Sequence, residues 1–147
     1  LNTSKKNGKR IVTVTGTLQG TGKGFAFILP DGDYDNDFFV PKKYLNGAYH
    51  GDKVIAERIL GTRDEARILK ITERANPRVV GTLQKEGNLY FVYPDNVRQP
   101  QVFINDKDRL CARSGEKVVC LITSYPKGKA PGGKVVEVLG KEGDFEA

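Results

Sequence analysis

Methionine and tryptophan are absent from the 147 residues, histidine occurs once, as His50, and the only two cysteines, Cys111 and Cys120, stand far apart. Each shortage removes a class of chemistry. Without a C-x-x-C pair, and with one imidazole, there is no zinc set, and both thiols read as buried or idle. A serine–histidine–carboxylate triad would have to be built on His50, whose neighbours "YHGD" read as a turn entering a strand. The chain by itself therefore reads as non-catalytic. No apolar run is long enough to span a membrane as a helix, and no charged-then-apolar leader opens the chain, so a cytoplasmic protein is expected. With no initiator methionine, Leu1 is not expected to be the natural start.

What is present is basic charge, glycine and phenylalanine. A net charge of +6 suggests a polyanionic partner. The stretch "GTGKGFAFILPD", Gly20 to Asp31, invites a phosphate-loop reading, which the spacing refutes. A Walker loop needs glycine where Thr17 stands and a hydroxyl where Gly24 stands. A dinucleotide fingerprint needs a following helix, whereas "FAFIL" is strand-like in composition. The acidic "DGDYDND", Asp31 to Asp37, resembles a calcium loop only in its alternating oxygens. An EF-hand requires glycine at its sixth place and glutamate at its twelfth, here Asn36 and Lys42. It reads as a solvated turn whose charge limits where phosphates can run.

The organising feature is an internal repeat. "VTGTLQGTGKGFAFILPD" from Val14 matches "VVGTLQKEGNLYFVYPD" from Val79, and Pro30 to Val54 then aligns without a gap on Pro94 to Val118. "RILKI" from Arg67 pairs with "KVVEV" from Lys134 after an insertion, "KGKAPGG". Each module reads as five short strands, in the first copy about 11–19, 24–29, 37–40, 53–60 and 67–73, punctuated by Gly, Pro and Asp. This order, with a long third-to-fourth connection, predicts an all-β chain of two tandem five-stranded OB-fold barrels, with SH3-like barrels as the competitor. The expected layout is a flexible basic lead over 1–10, barrels over 11–75 and 76–140, and the start of a linker over 141–147. "NP" in "RANPR" marks the join.

Strand alternation assigns the aromatics to faces. If Ile28, Phe38 and Val40 fill the first barrel, then Phe25, Phe27 and Phe39 stand outside on adjacent strands, a costly arrangement unless something stacks on them. The second copy puts Leu89, Phe91 and Phe103 outside and Tyr90 and Val92 inside, with Gly87-Asn88 replacing Lys23-Gly24. Lys23, Lys42, Lys43 and Arg58 are candidate phosphate contacts.

"KGFAFI" at Lys23 to Ile28 followed by "DFFVP" at Asp37 to Pro41 resembles the paired RNA-binding motifs of the cold-shock domain, with Ala26 in place of a glycine and Pro41 in place of a histidine. Two such modules in tandem, with "PKKYLNGAYHGDKV" from Pro41 and "GDF" near the end, resemble the amino-terminal half of the ribonuclease R family of 3′-to-5′ exoribonucleases, ribonuclease II being the nearest alternative. That resemblance implies binding of single-stranded RNA through Lys23, Phe25, Phe27, Phe39, Lys42 and Lys43, extended by Phe91 and Phe103. It also implies a catalytic domain of the same parent chain as partner, with the magnesium site there and no cofactor in these residues. A rival reading makes the same apolar face a docking surface for another domain.

Overall fold

The structure, a computed structural model, describes residues 2–6, 9–32 and 36–141, which form two compact units dividing between Asn76 and Pro77. Part of the acidic loop, 33–35, and most of the expected linker, 142–147 with its "GDF", lie outside the described residues.

Unit 1 contains β1 (Asn2–Lys6), β2 (Lys9–Gly20), β3 (Ala26–Pro30), β4 (Phe38–Val40), β5 (Lys53–Arg58) and β6 (Ala66–Glu73). The sheet runs β4-β3-β2-β5-β6. Its ends meet where Phe39 pairs in parallel with Glu65 and the Phe39 N–H donates to the Asp64 carbonyl at 2.7 Å. Unit 2 contains β7 (Arg78–Glu86), β8 (Leu89–Pro94), β9 (Val102–Ile104), β10 (Glu116–Ser124) and β11 (Gly132–Lys141), closed in the order β10-β11-β9-β8-β7. β9 and β11 run parallel, and the Phe103 N–H donates to the Pro131 carbonyl at 2.8 Å, repeating the closure of unit 1. Both units are OB-fold barrels.

The interiors follow from the alternation. Val14, Leu18, Ala26, Ile28, Phe38, Val40, Val54, Ala56 and Ile68 pack into one core, and Val79, Leu83, Val92, Val102, Ile104, Val118, Cys120 and Val135 into the other. Each fully buried aliphatic side chain stabilises by roughly 1.5–3 kcal/mol over its exposed state. Gly16 and Gly81 occupy inward positions where the neighbouring strand crosses so closely that a Cβ would meet the carbonyl of Leu29 or Tyr93. No other residue fits either crossing.

Two expectations change. The lead is not a loose tail: β1 pairs antiparallel with the first part of β2, from Asn2↔Thr13 to Lys6↔Lys9. The strand expected over 24–29 starts only at Ala26, because a turn holds the residues before it. Gly22 and Gly24 take positive φ (77° and 98°), and the Thr21 hydroxyl accepts from the Lys23 N–H (3.1 Å) and donates to the Phe25 carbonyl (2.7 Å).

Candidate nucleic-acid interface

On the outer face of unit 1, Phe27 on β3 pairs in register with Gln19 on β2 and with Phe39 on β4. Phe25 joins this row from the turn preceding β3. The three rings contact one another, with centroids 5.9 Å apart for Phe25–Phe27, 5.4 Å for Phe25–Phe39 and 5.8 Å for Phe27–Phe39. Ala26, Ile28, Phe38 and Val40 are buried while all three rings remain partly exposed, which is the division the alternation predicts. Edge-to-face and tilted contacts cover part of each ring and leave the remaining faces to solvent, so the cluster is a surface onto which flat groups can stack.

The cations around it divide in two. Lys23 is exposed in the turn beside Phe25, and the Lys42 stem passes so close to Gly24 that a Cβ there would lie 3.3 Å from it. Both cations thus stand at the Phe25 end of the cluster. Lys43, also proposed from sequence, instead places its ammonium 5.0 Å from the centre of the Tyr44 ring, which Arg67 also approaches at 5.6 Å. Tyr44 itself packs against the first core. Arg58 ends β5, a strand that pairs with β2 and β6 and not with the strands bearing the rings. Asp31 and Asp37 are exposed at the far end of β3 and before β4.

What holds the ring-bearing turn in place was not visible as a motif. The Gly20 N–H, at the end of β2, donates to His50 Nδ1 at 3.0 Å. In unit 2 the matching Lys85 N–H donates to the Ser114 hydroxyl at 3.0 Å. An imidazole and a hydroxyl therefore do the same work at equivalent places. Their signal was the alignment of "YHGDKV" with "RSGEKV". The next residues repeat the device: Asp52 accepts from the Tyr49 N–H (2.8 Å), and Glu116 from the Arg113 N–H (2.7 Å). Asp52 is buried and also accepts from Arg74 (2.9 Å) and the Ala75 N–H (2.8 Å), fastening this turn to the chain beyond β6. Burial beside Asp52 raises the Tyr49 phenol pKa, with nearby Arg74 opposing the shift.

Unit 2 repeats the row in reduced form. Phe91 pairs with Gln84 on one side and Phe103 on the other, and the two rings lie 5.7 Å apart. The third ring is replaced by Leu89, half exposed. Tyr90 turns inward against the core, as expected, and its ring is capped by Arg109 at 4.8 Å, itself paired with Asp106 at 2.9 Å. At the place of Lys42 stands Asp106, so this face lacks the cation that flanks the first one. Among the described residues, no group of three His, Cys, Asp or Glu side chains is placed to hold a metal ion. Nor is any helix among them long and apolar enough to cross a membrane.

Comparison with known proteins agrees with this arrangement. The Ribonuclease B OB domain family matches residues 16–71, and the cold shock domain family matches residues 91–147. Ribonuclease R of Acidithiobacillus ferrooxidans is 32% identical over 136 residues, covering 87% of this chain and 30% of that protein. Ribonuclease R of Escherichia coli is 31% identical over 137 residues, covering 90% and 17%. The chain thus spans less than a third of the length of either relative. Among solved structures, Mycoplasma genitalium RNase R in complex with ribose-methylated single-stranded RNA superposes with a TM-score of 0.72 at 23% identity, over 89% of this chain and 22% of that one. Yeast Ssd1, described as a pseudonuclease, superposes with a TM-score of 0.73 at 19% identity, over 88% and 23%.

Proposed function

The chain is a tandem of the OB and cold-shock domains of the ribonuclease R family, and on that premise we propose that it binds single-stranded RNA on the ring face of its first barrel and guides it toward a catalytic domain of its parent protein. The observation that carries the reading is the Phe25–Phe27–Phe39 cluster, partly exposed, with Lys23 and Lys42 at one end. An unpaired base has a free π-face and its backbone a phosphate per residue, so rings with cations alongside match one strand better than a duplex whose bases are stacked inside. Stacking contributes roughly 1–3 kcal/mol per base and tolerates any sequence. The Phe91–Phe103 pair offers a weaker platform of the same kind on the second barrel, because it has one ring fewer and Asp106 where Lys42 would be. RNA over DNA is supported by the relatives, among them the ribonuclease R solved with single-stranded RNA. On this reading magnesium-dependent hydrolysis belongs to the catalytic domain, and the setting is the cytoplasm.

Fluorescence anisotropy of a labelled oligoribonucleotide, titrated at two salt concentrations with an equal-length duplex as competitor, tests it. Binding should weaken with salt and resist the duplex. The Phe27→Ala, Phe39→Ala double variant should lose at least about tenfold in affinity with an unchanged melting curve, in line with the worth of one stacked base. Undiminished affinity in that variant, or equal competition by duplex, would overturn the assignment.

A further inference from the structure

The charge of this protein is concentrated at one place. Residues 1–30 carry Lys5, Lys6, Lys9, Arg10 and Lys23 and no carboxylate, hence five of the six net positive charges of the chain. Four of these five lie on the β1–β2 pair, where the register sets Lys5 opposite Arg10 and Lys6 opposite Lys9. Like charges directly opposite one another destabilise a strand pair, and a lone two-stranded ribbon is marginal already. The ladder of β2 with β5 begins only at Thr13 and that with β3 at Gly16, so Lys9 to Val12 have β1 as their one neighbouring strand among the described residues. The ribbon thus runs on past the barrel wall with basic residues in register at two successive positions. A phosphate backbone beside it would relieve the mutual repulsion of four positive charges held on one short ribbon.

We propose that the β1–β2 ribbon is a second contact for the nucleic acid, a cationic arm that holds phosphates at a distance from the ring face; it rests on the reading of that face as a single-strand platform. β2 itself fixes the separation. Gln19, in the ring row, and Arg10, in the arm, are nine residues apart on one continuous strand, which at 3.3–3.4 Å per residue is about 30 Å. The occupant is therefore a polymer of phosphates long enough to reach both places, and a small anion is not. The arm contributes charge neutralisation without base contact, so it adds affinity for long strands of any sequence while the rings act on short and long alike.

The test measures anisotropy with the full chain over a salt series, using an oligoribonucleotide of about five nucleotides, near the lower site size of one OB fold, and one of about twenty. Replacing Lys5, Lys6, Lys9 and Arg10 with Gln should reduce the slope of log affinity against log salt for the long strand by about 2–3, at roughly 0.7 per released phosphate. Binding of the short strand should stay as it was. Phe27→Ala with Phe39→Ala should weaken both lengths and leave the slope intact. Lys5→Glu supplies a second readout, because it makes the Lys5↔Arg10 pair attractive: thermal stability should hold or rise while affinity for the long strand falls. An unchanged slope and affinity in the four-Gln variant would overturn the arm and leave the ring platform standing. Loss of slope at both lengths would place those cations beside the rings, and would overturn the separate arm. If competition by an acidic peptide matched that by the long strand, the arm's partner would be a protein surface and the proposal would fail.

Discussion

Phe27 and Phe39 are directly paired across β3 and β4, yet each makes only edge or tilted contact with the next ring. Three phenylalanines in a core would be enclosed on all sides; these are partly exposed. The carboxylate of Asp52 shows the opposite situation. It is buried and fully used, with two backbone N–H groups and Arg74 donating to it. Asp52→Ala strands those donors and should cost about 3 kcal/mol in denaturant melts. Its counterpart Glu116 accepts one backbone N–H in a more exposed turn, so Glu116→Ala should cost about 1 kcal/mol. Equal losses would mean that the extra donors to Asp52 add nothing. The thiols divide in the same manner. Burial pushes the Cys120 pKa up to about 12, whereas Cys111 is exposed. At pH 8 a thiol reagent should therefore label Cys111 alone in the folded protein, and both residues in denaturant; mass spectrometry of the labelled peptides checks this.

At the scale of elements, the turn between the third and fourth strands of each barrel takes the same path with different residues. In unit 1 Asn46 and Gly47 adopt φ of 50° and 80°, a conformation both residues accept readily. In unit 2 Leu110 and Cys111 are held at 49° and 57°, where a side chain costs roughly 1–2 kcal/mol per residue. Substituting the first barrel's solution, Leu110→Asn with Cys111→Gly, should stabilise unit 2 by about 1 kcal/mol once the added freedom of glycine in the unfolded chain is subtracted. A lower melting temperature for that variant would show that the Leu110 side chain contributes more than its backbone strain costs. The short turn before β3 shows the same economy: Thr21 and His50 together fix the path that sets Lys23 and Phe25 beside the other rings.

At the scale of the whole molecule, two cores of separate composition, one inside a curled sheet and one inside a closed barrel, make two units of about 70 residues each, a size at which single domains fold alone with modest stability. Residues 77–147 expressed alone should therefore unfold in one cooperative transition, and residues 1–76 alone should keep RNA affinity within about tenfold of the full chain, losing only the contribution of linkage. Failure of residues 1–76 to bind, while folded, would mean that the second barrel supplies the principal site.

The repeat, the five barrel strands of each module and the in-out assignment of the rings were legible in the sequence because each depends on local order. Side chains alternate with a period of two, glycine and proline mark the turns, and two copies of one pattern reinforce each other. Thus Ile28, Val40, Phe27 and Phe39 could be given their faces before any coordinate was known. What depends on distance along the chain could not be read that way. Barrel closure at Phe39 and Glu65, the seat of His50 under Gly20, the lysine stem over Gly24 and the turning of Lys43 onto Tyr44 all join residues that sequence separates and only the folded backbone brings together. The basic lead shows the limit most plainly: composition gave its charge, but only pairing with β2 put Lys5 opposite Arg10 and Lys6 opposite Lys9. Pattern decides which way a side chain points; hydrogen-bond register between distant segments decides what it meets.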